Sequence, residues 1–287
     1  MAAVMEAGAC APCQPSAPAV EELELELLLA ALVQCYGYDF RGHERAVLRH
    51  KLAAAMAQLG ARTISSLQDQ VLHDAGAVAT VLRALHVPPA ALFDDAGEVA
   101  QLRAVLDASL RGAALPKVWL ADCAGAMQAW TLAMLLREQQ LDGRTEIFAT
   151  VPSDEQLAQA QDASVALAEL PALQENYVRC GGQGALLDHL IVQDGRAVLL
   201  PHLRSRITWA QYNLVTDASC NEFQLIVCRR ALPDFGPVLR RRVLRLFHDS
   251  LAPFGVLGLD RPLNADDPLA ASYRPLLPPL PWYRRTA

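Results

Sequence analysis

The chain has 287 residues, 53% of them hydrophobic and 20% charged, with a formal net charge of -6. This is ample apolar material for one large domain or a small and a large one, and the acidic balance excludes a general affinity for nucleic acid. The N-terminus lacks a basic n-region and no apolar run approaches a membrane span, so a cytoplasmic protein without membrane insertion is expected.

Seven cysteines, an odd number scattered over a chain large enough to fold without staples, predict reduced thiols. Cys10 and Cys13 form a Cys-x-x-Cys pair inside an Ala/Pro-rich stretch, with no second pair and no histidine at ligand spacing. Residues 1–19 therefore read as a disordered tail and no metal site is expected.

Helical patterns follow in residues 20–88. "EELELELLLAALVQCYGYDF" opens on carboxylates, which suit a helix N-terminus, and its apolar run stops at Gly37. "HERAVLRHKLAAAMAQLG", "TISSLQDQVL" and "AVATVLRALHV" continue the pattern until Pro88 and Pro89 end it. Residues 89–115 form a linker with one more helix.

From residue 116 to 287 strands and helices alternate. "KVWLA", "EIFAT", "RITWAQYNL", "EFQLIVC" and "GVLGLD" read as strands; "QAWTLAMLLREQ", "SDEQLAQAQ" behind Ser153, and "PVLRRRVLRLFHDSL" read as helices. Short apolar strands spaced by helices predict an α/β domain with a doubly wound parallel sheet. Gly clusters and β-prone runs over about 177–206 suggest a small antiparallel insertion.

Several strings in this order resemble the CheR-type chemoreceptor glutamate methyltransferases. "YGYDFRGHERAVLRHKL" is similar to the family's second-helix signature, and "VWLADCAGAMQAWTLAMLL" lines up on its cofactor loop. "WAQYNL", "FQLIVCRRALPDF" and the closing "YRPLLPPLPWYRR" resemble its later strands. The resemblance spans roughly residues 25 to 285. It implies an all-helical N-terminal domain, a Rossmann-like methyltransferase domain with a small β insertion, and S-adenosyl-L-methionine as cofactor.

The departures fall on the positions that the resemblance marks as ligand-facing. Against a family loop of the form A-G-C-S-T-G-E-E, Ala121 is kept, while Asp122, Ala126 and Met127 replace two glycines and a glutamate. Such glycines let the backbone approach a ligand; an aspartate adds bulk and negative charge, and Met127 accepts no hydrogen bond from an ammonium group. Val151 stands where an acidic residue would hold the ribose hydroxyls. Asp94 stands at the family's reactive-centre Arg, Arg230 at its Asn and Asp234 at its Tyr, whereas Asn213 and Leu214 survive where the adenine edge is held. No catalytic residue is assigned.

Arg41, Arg45, Arg49 and Lys51 lie in the second-helix region, with Arg45 and Arg49 one turn apart. The resemblance implies that this helix docks on the acidic helices of chemoreceptors. A second run, Arg240, Arg241, Arg242 and Arg245, reads as pointing several ways around a late helix, mainly a solvated face, with an acidic partner or an anionic nucleotide left open. Three functions therefore stand: a catalytically impaired CheR-like interaction module, a working methyltransferase with an unusual loop, and a cleft that takes a cationic ligand beside Asp94, Asp122 and Asp234.

Overall fold

The computed structural model describes residues 17–218, 222–264 and 267–286. The chain divides into two compact units, Met1–Arg41 with Arg49–Val81, and Gly42–Leu48 with Leu82–Ala287. Four helices, α1 (Ala17–Tyr36), α2 (Arg45–Leu59), α3 (Ile64–His73) and α4 (Ala75–Leu85), make up the helical region. The first unit holds α1, α3 and most of α2 and α4.

Leu25, Leu28, Leu29 and Leu32 recur at helical spacing on α1 and are fully buried. The Tyr36 hydroxyl donates to the Val71 carbonyl at 2.6 Å, which ties the end of α1 to α3. Gly37 takes a φ of 78° while Tyr38 N–H closes back on the Leu32 carbonyl, so the expected stop is a left-handed cap. Thr63 and Ser66 cap α3 reciprocally. Residues 1–16 of the expected N-terminal tail lie outside the described residues, whereas 17–19, expected within it, form the first turn of α1. Pro18 is tolerated there since that turn has no N–H partner to lose. Cys10 and Cys13 lie outside the described residues.

The second unit contains, in chain order, α5 (Ala96–Leu110), β1 (Lys117–Leu120), α6 (Ala126–Glu138), β2 (Glu146–Val151), α7 (Asp154–Gln161), β3 (Val165–Ala166) and α8 (Leu170–Arg179). These are followed by β4 (Leu190–Gln193), β5 (Arg196–Leu199), α9 (Pro201–Arg204), β6 (Ile207–Gln211), β7 (Phe223–Cys228), α10 (Pro237–Ser250), β8 (Leu251–Leu259), β9 (Tyr273–Pro275) and β10 (Trp282–Arg285). A seven-stranded sheet runs β6-β2-β1-β7-β8-β10-β9, parallel through β8 and antiparallel at β10 and β9. The sheet is therefore mixed, not wholly parallel. Side chains alternate across it: Val118 and Leu120 enter one apolar core with α5 and α6, and Trp119 and Ala121 enter a second with α10.

The sequence order reverses between β1 and β7, so the loop after β1 opens at a topological switch point, where ligands of such sheets sit. The small antiparallel sheet runs β3-β5-β4 and takes its first strand from Val165–Ala166, ahead of the stretch expected from residue 177. Its two-residue length left no alternating pattern to read. Cys35, Cys123, Cys180 and Cys228 are free thiols, and among the described residues no helix is long and apolar enough to cross a membrane.

Candidate functional site

Val118, Trp119 and Leu120 bury β1 in the sheet, and the chain then turns through Ala121–Gly125 into α6. The turn is held from three sides. Ala121 N–H donates to the Val227 carbonyl at 3.0 Å, Cys123 N–H to the Thr150 carbonyl at 2.7 Å, and Ala90 N–H to the Ala124 carbonyl at 2.8 Å. Gln128 reaches back from α6 and its Oε1 accepts the Ala124 N–H at 2.8 Å. Asp122 has a φ of 52° and Gly125 a φ of 81°, so a left-handed residue stands at each end of the turn. Glycine adopts that geometry freely; an aspartate does so at a cost of about 1 kcal/mol.

Burial, reinforced by the Asp122 carboxylate, holds the Cys123 thiol well above its ordinary range, and burial does the same for Cys228. Neither presents a thiolate nucleophile. Trp119 Nε1 donates to Thr150 Oγ1 at 2.9 Å, which locks β1 to β2 beneath the turn. Met127 packs against the apolar core, and Ala126 is buried at the first position of α6.

Val151 is fully buried, and its carbonyl accepts Tyr212 N–H at 2.9 Å. Asn213 and Leu214 lie beyond the end of β6, not in a strand as expected. Asn213 Oδ1 accepts Val215 N–H at 2.8 Å in a local turn, and Leu214 is buried in the α10 core.

Asp94 and Arg230 meet at the mouth of the site. Arg230 Nη2 donates to Asp94 Oδ1 at 3.1 Å and to Glu98 Oε2 at 3.4 Å. These residues line a cavity of about 770 Å³ together with Asp95, Arg229 and Asp260. Of the three aspartates expected around one cleft, Asp94 lines this cavity, and Asp122 and Asp234 are not among its lining residues. Asp234 sits in a short turn whose carbonyl accepts Glu44 N–H at 2.8 Å. Beneath the cavity, Gln101 Oε1 accepts from both Arg229 Nη1 at 2.9 Å and Trp282 Nε1 at 2.8 Å. Asp260 is engaged by Arg240 and Arg261.

Sequence reasoning missed Glu98, Gln128 and Asp260. Glu98 had a readable signal: "DAGE" places a capping Asp95 three residues ahead of it, and Asp95 Oδ1 accepts Glu98 N–H at 2.9 Å. The pairing with Arg230 had none, since the two residues are 132 positions apart. On the helical side, Arg41 is bound by Asp39, and Arg49 is bound by Glu21 and Glu22. Arg45 begins α2 and Lys51 lies within it, both half-buried. Arg41 and Arg49 are thus paired with carboxylates of this chain, and Arg45 and Lys51 are not free either. Among the described residues no group of His, Cys, Asp or Glu is placed to hold a metal ion.

At the positions marked by the resemblance, several polar groups are bonded within the chain. The Ala124 N–H donates to Gln128, Asn213 Oδ1 accepts from Val215, Val151 and Met127 offer no side-chain acceptor, and Arg230 pairs with Asp94.

Comparison with known proteins places the whole arrangement. Residues 93–261 match the SAM binding domain of the CheR methyltransferases and residues 23–86 their all-alpha domain. Cher3 of Pseudomonas putida, a protein with methyltransferase in its name, is 32% identical over 92% of this chain and 97% of its own length. Chemotaxis protein methyltransferase 1 of Pseudomonas aeruginosa is 23% identical over 82% of this chain and 88% of its own. Among solved structures, the glycopeptide N-methyltransferase MtfA complexed with sinefungin aligns at a TM-score of 0.35 and 15% identity, over 61% of this chain and 52% of that one. On two matched domains and a full-length relative, this chain belongs to the CheR methyltransferase family.

Proposed function

We propose that this chain is a CheR-family protein in which methyl transfer is impaired and which acts in the cytoplasm as a signalling or protein-interaction module. The observation that carries the reading is the Arg230 guanidinium held between Asp94 and Glu98 at the mouth of the cleft. A single substitution at a reactive-centre position leaves a gap that the chain does not refill. Here both positions changed together, and the new side chains neutralise each other in place. Methyl transfer depends on proximity and orientation, since the sulfonium is already a good leaving group. A chain that has given up the positioning contacts retains little else with which to catalyse.

Calorimetric titration of the full chain with S-adenosylhomocysteine tests this reading. Absence of measurable heat at micromolar concentrations is the expected result, and micromolar binding overturns it. On the partner side, the reading expects an acidic helix of a receptor-like protein to meet Arg45 and its neighbours. Reversing Arg45 and Arg49 together then weakens capture of that helix, and unchanged capture removes the docking role.

One observation favours a second reading, an active protein-glutamate O-methyltransferase acting on chemoreceptor-like proteins. The turn keeps left-handed backbone at both 122 and 125, so the path of a cofactor loop is retained even where its side chains are not. A methyl-transfer assay on receptor fragments separates the two: labelled glutamate esters support the second reading.

A further inference from the structure

The outer face of α10 carries charge that the fold does not use. Leu239, Val243, Leu244, Leu246 and Phe247 bury the inner face. Val238, Arg241, Arg242, Arg245 and Asp249 are exposed, at offsets of 0, 3, 4, 7 and 11 along the helix. That spacing draws them into one stripe, about 16 Å long at 1.5 Å per residue. Arg240 turns away from it and is held by Asp260 at 2.9 Å and by the Leu232 carbonyl at 3.1 Å. The run that reads in sequence as pointing several ways thus resolves into one structural arginine and three that share a solvent face.

Arg241 and Arg245 make no hydrogen bond or ion pair with the described residues, and Arg242 reaches only the Thr216 carbonyl at 3.4 Å. Like charges one helical turn apart work against the helix that carries them. They also stand out on a chain whose net charge is -6. We infer that this stripe is a docking surface for an acidic helical segment of a protein partner. Carboxylates one turn apart on such a helix match Arg241 and Arg245, and Val238, 75% exposed at the head of the stripe, offers an apolar contact. Two carboxylates bound the stripe: Asp249 lies one turn past Arg245, and Asp217 accepts the Thr216 hydroxyl beside Arg242. A continuous row of phosphates meets repulsion at both, whereas a protein helix places its few carboxylates between them. The inference holds whether or not the cleft transfers methyl groups.

Fluorescence anisotropy on the full chain tests it, with a labelled alanine-based helical peptide carrying Glu pairs at i, i+4 as the probe. The expected result is salt-sensitive binding that Arg241→Glu with Arg245→Glu weakens by about tenfold or more, about 1.4 kcal/mol. Arg274→Glu, at an exposed arginine on β9, is expected to leave binding unchanged. Both variants are surface changes, and an unchanged melting curve verifies their fold. The inference is overturned if the wild-type chain does not bind the peptide, if the double reversal binds as wild type, or if Arg274→Glu weakens binding equally. Tighter binding of single-stranded DNA or of phosphatidylserine vesicles than of the peptide overturns it as well.

Discussion

Arg230 and Asp94, 136 residues apart in the chain, form an ion pair at 3.1 Å across the mouth of the cleft. The resemblance to the CheR-type pattern implies an Asn at the position of Arg230 and an Arg at that of Asp94. Neither substitution has a reason alone. An isolated Asp94 would add a carboxylate beside Asp95 and Glu98, and an isolated Arg230 would face the family's own arginine. Together they pair with each other at that mouth.

This coupling is measurable. Arg230→Asn and Asp94→Asn are each expected to cost about 0.5 kcal/mol, because both side chains are about a quarter to a third exposed and solvent screens the pair. The double variant is expected to cost less than the sum of the two. Urea unfolding of the four proteins gives the coupling energy directly, and strict additivity would remove the pairing from the account.

At the turn after β1, Asp122→Gly relieves a non-glycine φ of 52°. A stabilisation of about 0.5 kcal/mol is expected, the strain relief being partly offset by the greater freedom of glycine in the unfolded chain. The triple change Asp122→Gly, Ala126→Gly and Met127→Glu is expected to restore weak S-adenosylhomocysteine binding only when Arg230→Asn is added. Titration of both variants decides the matter; equal binding without the fourth change would place the lesion in the turn alone.

Acid weakens the fold through His189. It is buried, and burial followed by the nearby Arg137 charge holds its pKa below the ordinary histidine value. The unfolded chain therefore takes up the proton more readily, with a pKa of about 6.5. The stabilisation is complete above that value and is lost as pH falls through the folded pKa. His248 is shifted the same way, by burial and by Arg285. Urea midpoints are expected to fall between pH 7 and pH 5.5, a window in which ordinary carboxylates do not titrate, and the fall is expected to be smaller in His189→Gln.

Gly258 on β8 lies flat against the Trp282 ring of β10, where an added Cβ would come within 2.3 Å of a ring atom. Trp282 is fully buried, bonded to Gln101 and covered by the Arg229 guanidinium at 5.5 Å from its ring centroid. It has nowhere to retreat. Gly258→Ala is expected to cost about 2–3 kcal/mol by overpacking, seen as a lower melting temperature.

Much of the fold was legible because its signals are local. The leucines of α1, the glycine at position 37, the serine cap of α7 and the short apolar strands each declare themselves within a few residues. Strand β3 escaped because two residues carry no period, and Asn213 was misplaced because the apolar pattern of β6 runs on into a turn held by its own side chain.

Residue identity alone carries the family's order of elements, and the resemblance implies which ligand-facing positions have changed. Where those side chains point depends on packing. It set Arg230 between Asp94 and Glu98, spent the Ala124 N–H on Gln128, turned Arg240 inward to Asp260, and left Arg241, Arg242 and Arg245 on an outer face. Most of these contacts are set by how the sheet and helices pack, and periodicity along the chain carries no information about them.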